Sequence, residues 1–300
     1  MRQNKWEKGH KWGSIIEGYI KVVKNISFHA TNVTVIFDGY KNSTKDHTHR
    51  CRKKHFCHDM KINRDTLPYT SKEKFLSNSK NKYELISTLS KELNSENILT
   101  FCCEDDADTV IVKEALNRSL VGTVQVRAED ADILIMLCHH YDVNIHNKMV
   151  LTTAKASYDV NDIIKSLSDE KRQSLLFCHS FSGCDTVSSI LGFSKESVFE
   201  KLSNNEVRNH VYVFYNKEST VDEIKHAGIS MFQYLYKDYD TPLSTQRVNR
   251  FNQQSKVGVL RPESLPPTEG AAIVNLSLTV ASRVGVSEMV SQRIVAGCRH

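Results

Sequence analysis

Proline is scarce: of five, only Pro68 precedes Pro242, and the other four lie between Pro242 and Pro267. The chain before Pro242 therefore offers no Pro-rich linker. Long apolar runs are also missing, and no stretch approaches the ~20 consecutive apolar residues of a membrane span, which excludes an integral helical membrane protein. The first residues, MRQNKWEKGHKWG, are polar, without the apolar core of a secretory signal, and argue against secretion. Eight cysteines in 300 residues, two of them adjacent at Cys102 and Cys103, are too few and too irregular for a disulfide scaffold. They read as reduced thiols of an intracellular protein. Internal repeats and low-complexity tracts are lacking as well.

What is present is a chain of 34.2 kDa with 40% hydrophobic and 25% charged residues, enough for one large domain or two modest ones with a real core. Net charge is 40 − 35 = +5, and its distribution says more than its size. Met1 to His58 holds twelve Lys/Arg against four Asp/Glu, while Leu99 to Asp142 holds three against nine. A basic block beside an acidic one fits a polyanion contacted by one part and cations held by another. Solvated helix faces account for such blocks too.

Short apolar runs alternate with helical patterns over the first two thirds of the chain, the rhythm of an α/β fold. Val33–Phe37 is a β-branched and aromatic run ending at Asp38-Gly39, which reads as a buried strand before a tight turn. Ile98–Cys102, Thr123–Val126 and Lys148–Thr152 read as further strands, and Thr109–Leu116 as a helix with acids at its start. Residues 41–97 form a long insertion with a basic run, a polar stretch expected to be mobile near Ser77–Asn81, and a helix around Tyr83–Leu93. The expected organisation is a domain over 1–204, a helical extension over 205–258 with Val221–Tyr236 its clearest helix, and a Pro-punctuated linker and weakly patterned tail over 259–300.

Three successive strands end in carboxylates: Asp38, the Asp106/Asp108 pair and the Asp130/Asp132 pair. In a parallel α/β sheet the C-terminal strand ends share one edge, where such sheets bind ligands. Ionised carboxylates gathered there repel one another unless a cation neutralises them. Their hard oxygens suit Mg²⁺ or Mn²⁺, and two such ions about 4 Å apart activate a water and stabilise a leaving oxygen. Taken one at a time, the same acids serve as caps and turn residues. Further on, Gly183-Cys184-Asp185 precedes Leu191–Leu202, where a turn at Gly192 between short helices sets backbone N–H groups and Lys195 toward a phosphate.

Val35–Gly39, Asp106 with Asp108, Glu129–Asp132 and Gly183–Asp185, in this order, resemble the flap-endonuclease/XPG-like branch of the PIN-like nucleases. The likeness is in particular to members found in many copies in invertebrate genomes and held to be of mobile-element origin. It covers about residues 14–202. It implies an α/β PIN-like three-layer domain with a mainly parallel central sheet, followed by a helical C-terminal extension. It implies a nuclease acting on DNA or structured nucleic acid, DNA before RNA, in which Asp38, Asp106, Asp108, Asp130, Asp132 and Asp185 hold two Mg²⁺ or Mn²⁺ ions. Lys45 and Arg52, seven and fourteen positions after Asp38, take the place of the family's basic residues at the scissile phosphate. Lys53, Lys54 and Lys195 are expected to contact nucleic acid, with no membrane partner and with the nucleus among the expected intracellular locations. Trp6 to Lys24 resembles the family's first helix. The strand and catalytic Asp that precede that helix in the family have no counterpart, so an incomplete sheet is expected beside Val33–Phe37. The alternative is a non-catalytic nucleic-acid- or protein-binding module derived from such a nuclease.

Two competing chemistries are weaker. His47, His49, Cys51, His55, Cys57 and His58 include enough zinc ligands, but their spacing fits no paired zinc motif, and Arg50, Arg52, Lys53 and Lys54 interleave them. A basic segment touching phosphate fits better. Cys178-His179 suggests a Cys-His nucleophile, with no third group to support it.

Overall fold

A computed structural model of the chain describes residues 6–7, 9–38, 57–103, 107–184, 187–202, 207–216, 218–236, 241–258 and 261–276. Lys45, Arg52, Lys53, Lys54, Asp106 and Asp185 lie outside them. The chain divides into two compact units, Met1–Val110 and Ile111–His300.

In the first unit, helix α1 (Trp12–Ile26) buries Trp12, Ile15, Ile16, Tyr19 and Ile20, the 3–4 spacing of a single apolar face. Its start is held by a strap: Trp12 N–H donates to the Thr66 carbonyl and Gly13 N–H to the Arg64 carbonyl, both at 2.9 Å. The Arg64 guanidinium then bridges Glu17 at 2.7 Å and Glu92 at 2.6 Å. Strand β1 (Thr34–Phe37), helices α2 (Lys72–Ser77) and α3 (Ser79–Ser95), and strand β2 (Leu99–Cys102) complete the unit. β1 and β2 pair in parallel with Thr34 opposite Leu99 and Phe37 opposite Cys102, and all four residues of β1 are half-buried. Trp12, Phe75, Leu85, Leu89 and Leu93 form the core.

The polar stretch expected to be mobile near Ser77–Asn81 is instead pinned. The Asn78 side chain caps α3 by accepting from Lys80 N and Asn81 N, and donates to the Cys57 carbonyl at 2.7 Å. Asn81 is fully buried, accepting from Met60 N and donating to the His58 carbonyl. Polar composition signals a loop, but here each amide satisfies backbone groups of a neighbouring segment.

Helix α4 (Asp108–Ser119) leads into the second unit, followed by β3 (Val124–Arg127), α5 (Ala131–His140), β4 (Met149–Thr152), β5 (Ser157–Asp159), α6 (Val160–Ser166) and α7 (Asp169–Ser182). β3 pairs with β4 in parallel, and β4 with β5 antiparallel. The fold is thus mixed α/β, with parallel pairs in two small sheets among the described residues. Leu116, Ile133, Leu137, Met149, Leu151 and Val160 fill one core of this unit. α7 is buried nearly all round at its C-terminal end, so Phe177 and Phe181 enter a second core. That core is shared with α8 (Lys195–Leu202), α9 (Arg208–Val213), α10 (Val221–Leu235), α11 (Leu243–Val257) and the helical turns over 269–276. Among the described residues no helix is long and apolar enough to cross a membrane.

Candidate functional site

β3 ends at Arg127, and α5 begins four residues later with Asp130 as its N-cap. The Asp130 Oδ1 accepts the Asp132 N–H at 2.9 Å, which satisfies one of the amides left free in the first helical turn. Capping also holds both carboxylates at the head of the helix, where its dipole favours negative charge.

Asp132 meets two further elements. Its Oδ2 lies 3.3 Å from His179 Nε2, in the last turn of α7, and its Oδ1 lies 3.3 Å from Lys195 Nζ, at the start of α8. The ring closes on itself, since Lys195 Nζ is 3.1 Å from His179 Nδ1. An ammonium only donates, so Nδ1 accepts, and Nε2 carries the hydrogen given to Asp132. The His179 hydrogen bond, with the Lys195 charge beside it, holds the Asp132 carboxyl at about 2 against its part burial, so it is ionised throughout the neutral range.

Asp130, Asp132 and Lys195 open into one cavity of about 540 Å³, lined also by Gly183, Cys184, Val187, Ser188 and Ser189. The far wall is a tight loop. Gly183 ends α7 at φ +113°, a conformation natural to glycine, and a Cβ there would sit 2.5 Å from Ser189 Cα. Cys184 and Val187 exchange backbone hydrogen bonds of 3.0 and 3.2 Å across the loop. The Ser194 hydroxyl accepts from Ser197 N at 3.1 Å, fixing the start of α8 and with it Lys195.

The first unit has a smaller arrangement of the same kind. Asp38 follows β1 directly, exposed, and its Oδ1 accepts the Ala107 N–H at 3.3 Å, one residue before α4 begins at Asp108. Lys82 on α3 feels the Asp38 charge, while burial pulls its ammonium below the usual lysine range.

Of the sequence-derived candidates, Asp130, Asp132 and Lys195 thus share one cavity of the second unit, and Asp38 and Asp108 stand at the C-terminal end of the β1–β2 pair in the first. His179, which the sequence offers only as half of a Cys-His pair, and Lys82 are neighbours of Asp132 and Asp38 that the sequence does not disclose. The Cys-His idea fails, because Cys178 is buried with its thiol pushed up, and His179 bonds to Asp132 and Lys195. Cys57 is buried beside Asn81.

Carboxylate oxygens are the hard donors that Mg²⁺ and Mn²⁺ take, and two of them on one rim fit part of such a shell. Among the described residues no three His, Cys, Asp or Glu side chains gather as a metal cluster.

No protein-family model matches the chain, and no curated protein matches it. Among solved structures it is similar to the T5 D15 protein, co-crystallised with metal ions, with 14% identity over 95% of this chain and 89% of that one and a TM-score of 0.42.

Proposed function

We propose that the chain is a divalent-metal-dependent phosphodiester hydrolase of the PIN-like, flap-endonuclease type, acting on DNA or structured nucleic acid. The observation that carries this is the meeting of Asp130, Asp132 and Lys195 on one cavity just beyond β3. Asp38 and Asp108 beyond β1 and β2 repeat the placement of acids at the C-terminal end of a parallel pair. Acids at such strand ends, with a cation beside them, suit a phosphate held against metal.

In this reading Asp130 and Asp132 hold a Mg²⁺ or Mn²⁺ ion, which would supply an activated water and charge neutralisation of the leaving oxygen. Asp185, the residue after the lining Cys184, is assigned the same role, and Asp38, Asp106 and Asp108 are assigned as metal ligands of the first unit. Lys45 and Arg52 steady the scissile phosphate, and Lys53, Lys54 and Lys195 take backbone phosphates as point charges. One observation favours a second reading, a nucleic-acid-binding module without catalysis: both Asp132 oxygens are engaged by protein side chains, Oδ2 by His179 and Oδ1 by Lys195.

A cleavage assay on flap, hairpin and single-stranded substrates in Mg²⁺ and Mn²⁺ separates the two. Cleavage should require the divalent ion and fall at least 100-fold in Asp130→Asn with Asp132→Asn, the scale of losing a metal ligand set. The melting temperature of that variant should no longer rise with Mn²⁺. Binding of these substrates without cleavage would favour the second reading.

A further inference from the structure

Lys195 stands where helix electrostatics oppose it. It is the first residue of α8, and a positive charge at a helix N-terminus faces the positive end of the dipole. Its compensation is Asp132, with His179 between them on the buried side. The two partners of Asp132 are not alike. His179 is 9% exposed and fixed at the end of α7, whereas the Lys195 side chain is 46% exposed on a flexible four-carbon stem. His179 can only hold Asp132 in place; Lys195 can leave it. Lys195 lines the same cavity as Asp130 and Asp132 and lies 3.3 Å from the Asp132 Oδ1, so a divalent ion held by that oxygen would compete with it.

We propose that Lys195 is an internal counter-cation for Asp132, displaced when a divalent ion binds the Asp130–Asp132 rim, and that the released ammonium then takes a phosphate oxygen of the nucleic acid. This rests on the reading of the cavity as a metal-holding site. The exchange keeps Asp132 neutralised in both states and couples the two ligands. The ion must evict a lysine, and the lysine becomes available to the nucleic acid only once the ion has arrived. His179 stays throughout as a positioning residue for the carboxylate.

The test pairs two measurements on the full chain. Calorimetric titration with Mn²⁺ alone should give Lys195→Met a roughly three- to fivefold tighter affinity than the wild type, the scale of one partly exposed ion pair removed as competitor. Lys195→Gln serves as a second variant with a polar replacement. Lys171→Met, which removes the same unit charge from a lysine paired with Glu200, should leave Mn²⁺ affinity within about twofold. Duplex affinity is then measured across a salt series, once in EDTA and once in Ca²⁺. The slope of log K against log salt should differ between wild type and Lys195→Met by roughly one in Ca²⁺, and hardly at all in EDTA. Mn²⁺ binding that is abolished by Asp132→Asn but unchanged or weakened by Lys195→Met overturns the exchange and leaves the metal site standing. An equal slope difference in both media overturns it too. A wild type with no Mn²⁺ heat overturns the metal site and the exchange with it.

Discussion

Asp132 and His140 stand in the first and last turns of α5, and protons treat them differently. Burial pulls the His140 imidazole down to about 4, and its Nε2 has no hydrogen-bond partner among the described residues. An unfolded histidine titrates near 6.5, so between about 6.5 and 4 the unfolded chain binds a proton that the folded one refuses. This contribution is therefore present above 6.5 and lost as pH falls toward 4, at most about 3 kcal/mol. Asp132 is depressed from 3.8 to about 2, chiefly by the His179 hydrogen bond, so its share is intact above 3.8 and lost only as pH falls toward 2. With partial exposure it is worth at most about 2 kcal/mol. Urea denaturation across pH should read both. His140→Phe should flatten the limb between 6.5 and 4, and Asp132→Asn the limb below 3.8. Burial lowers His146 and His210 too, so the difference between variant and wild type is the quantity to compare. A His140→Phe profile parallel to the wild type through the upper limb rules this assignment out.

Among the elements, the loop from Gly183 to Lys195 carries two glycines at positive φ that are not equivalent. Gly183 lies at φ +113° with the Ser189 backbone 2.5 Å from any Cβ, while Gly192 lies at φ +90° with nothing within 4 Å. Gly192→Ala should cost about 1 kcal/mol, the left-handed penalty alone. Gly183→Ala must also push the loop apart and should cost about 3 kcal/mol or more, shown by a lower urea midpoint. Equal costs would mean that the loop yields freely. Four of the five described strands were legible to within a residue: Val33–Phe37, Ile98–Cys102, Thr123–Val126 and Lys148–Thr152 stand against β1, β2, β3 and β4, because short apolar, β-branched runs between polar segments have few other outcomes, while the three-residue β5 carries no such run. The helices around Tyr83–Leu93 and Val221–Tyr236 were legible from their periodicity. α7 was not, since burial nearly all round its C-terminal half erases the amphipathic stripe. His179 went with it: the histidine reaches its carboxylate only through the packing of α5, α7 and α8, which no local spacing announces. Asp130 and Asp132 could be read because both lie in one short turn after a strand.

Across the molecule, thiols report on each unit separately, because none of the six described cysteines is in a disulfide. Cys102 is exposed in the first unit, while Cys138 and Cys178 are buried in the second, with burial pushing Cys138 to about 11 and Cys178 higher still. Under native conditions an alkylating reagent should modify Cys102 quickly, and Cys138 and Cys178 only through opening of the second unit. Gly183→Ala should speed the two buried sites without changing Cys102, read peptide by peptide by mass spectrometry. Equal rates at Cys102 and Cys178 in the native wild type would contradict this burial. The ring of Asp132, His179 and Lys195 has a consequence in time as well as in charge. The Asp132–Lys195 contact spans 63 residues of chain, and closing a loop of that length costs about 4 kcal/mol of entropy. A pair of partly exposed charges returns less than this. The contact therefore cannot draw the chain together and must wait until the apolar faces of α7 and α8 have done so. Assembly order then places this ring last, so a chain emerging from synthesis carries Asp132 uncommitted to Lys195 until the hydrophobic framework around it is complete.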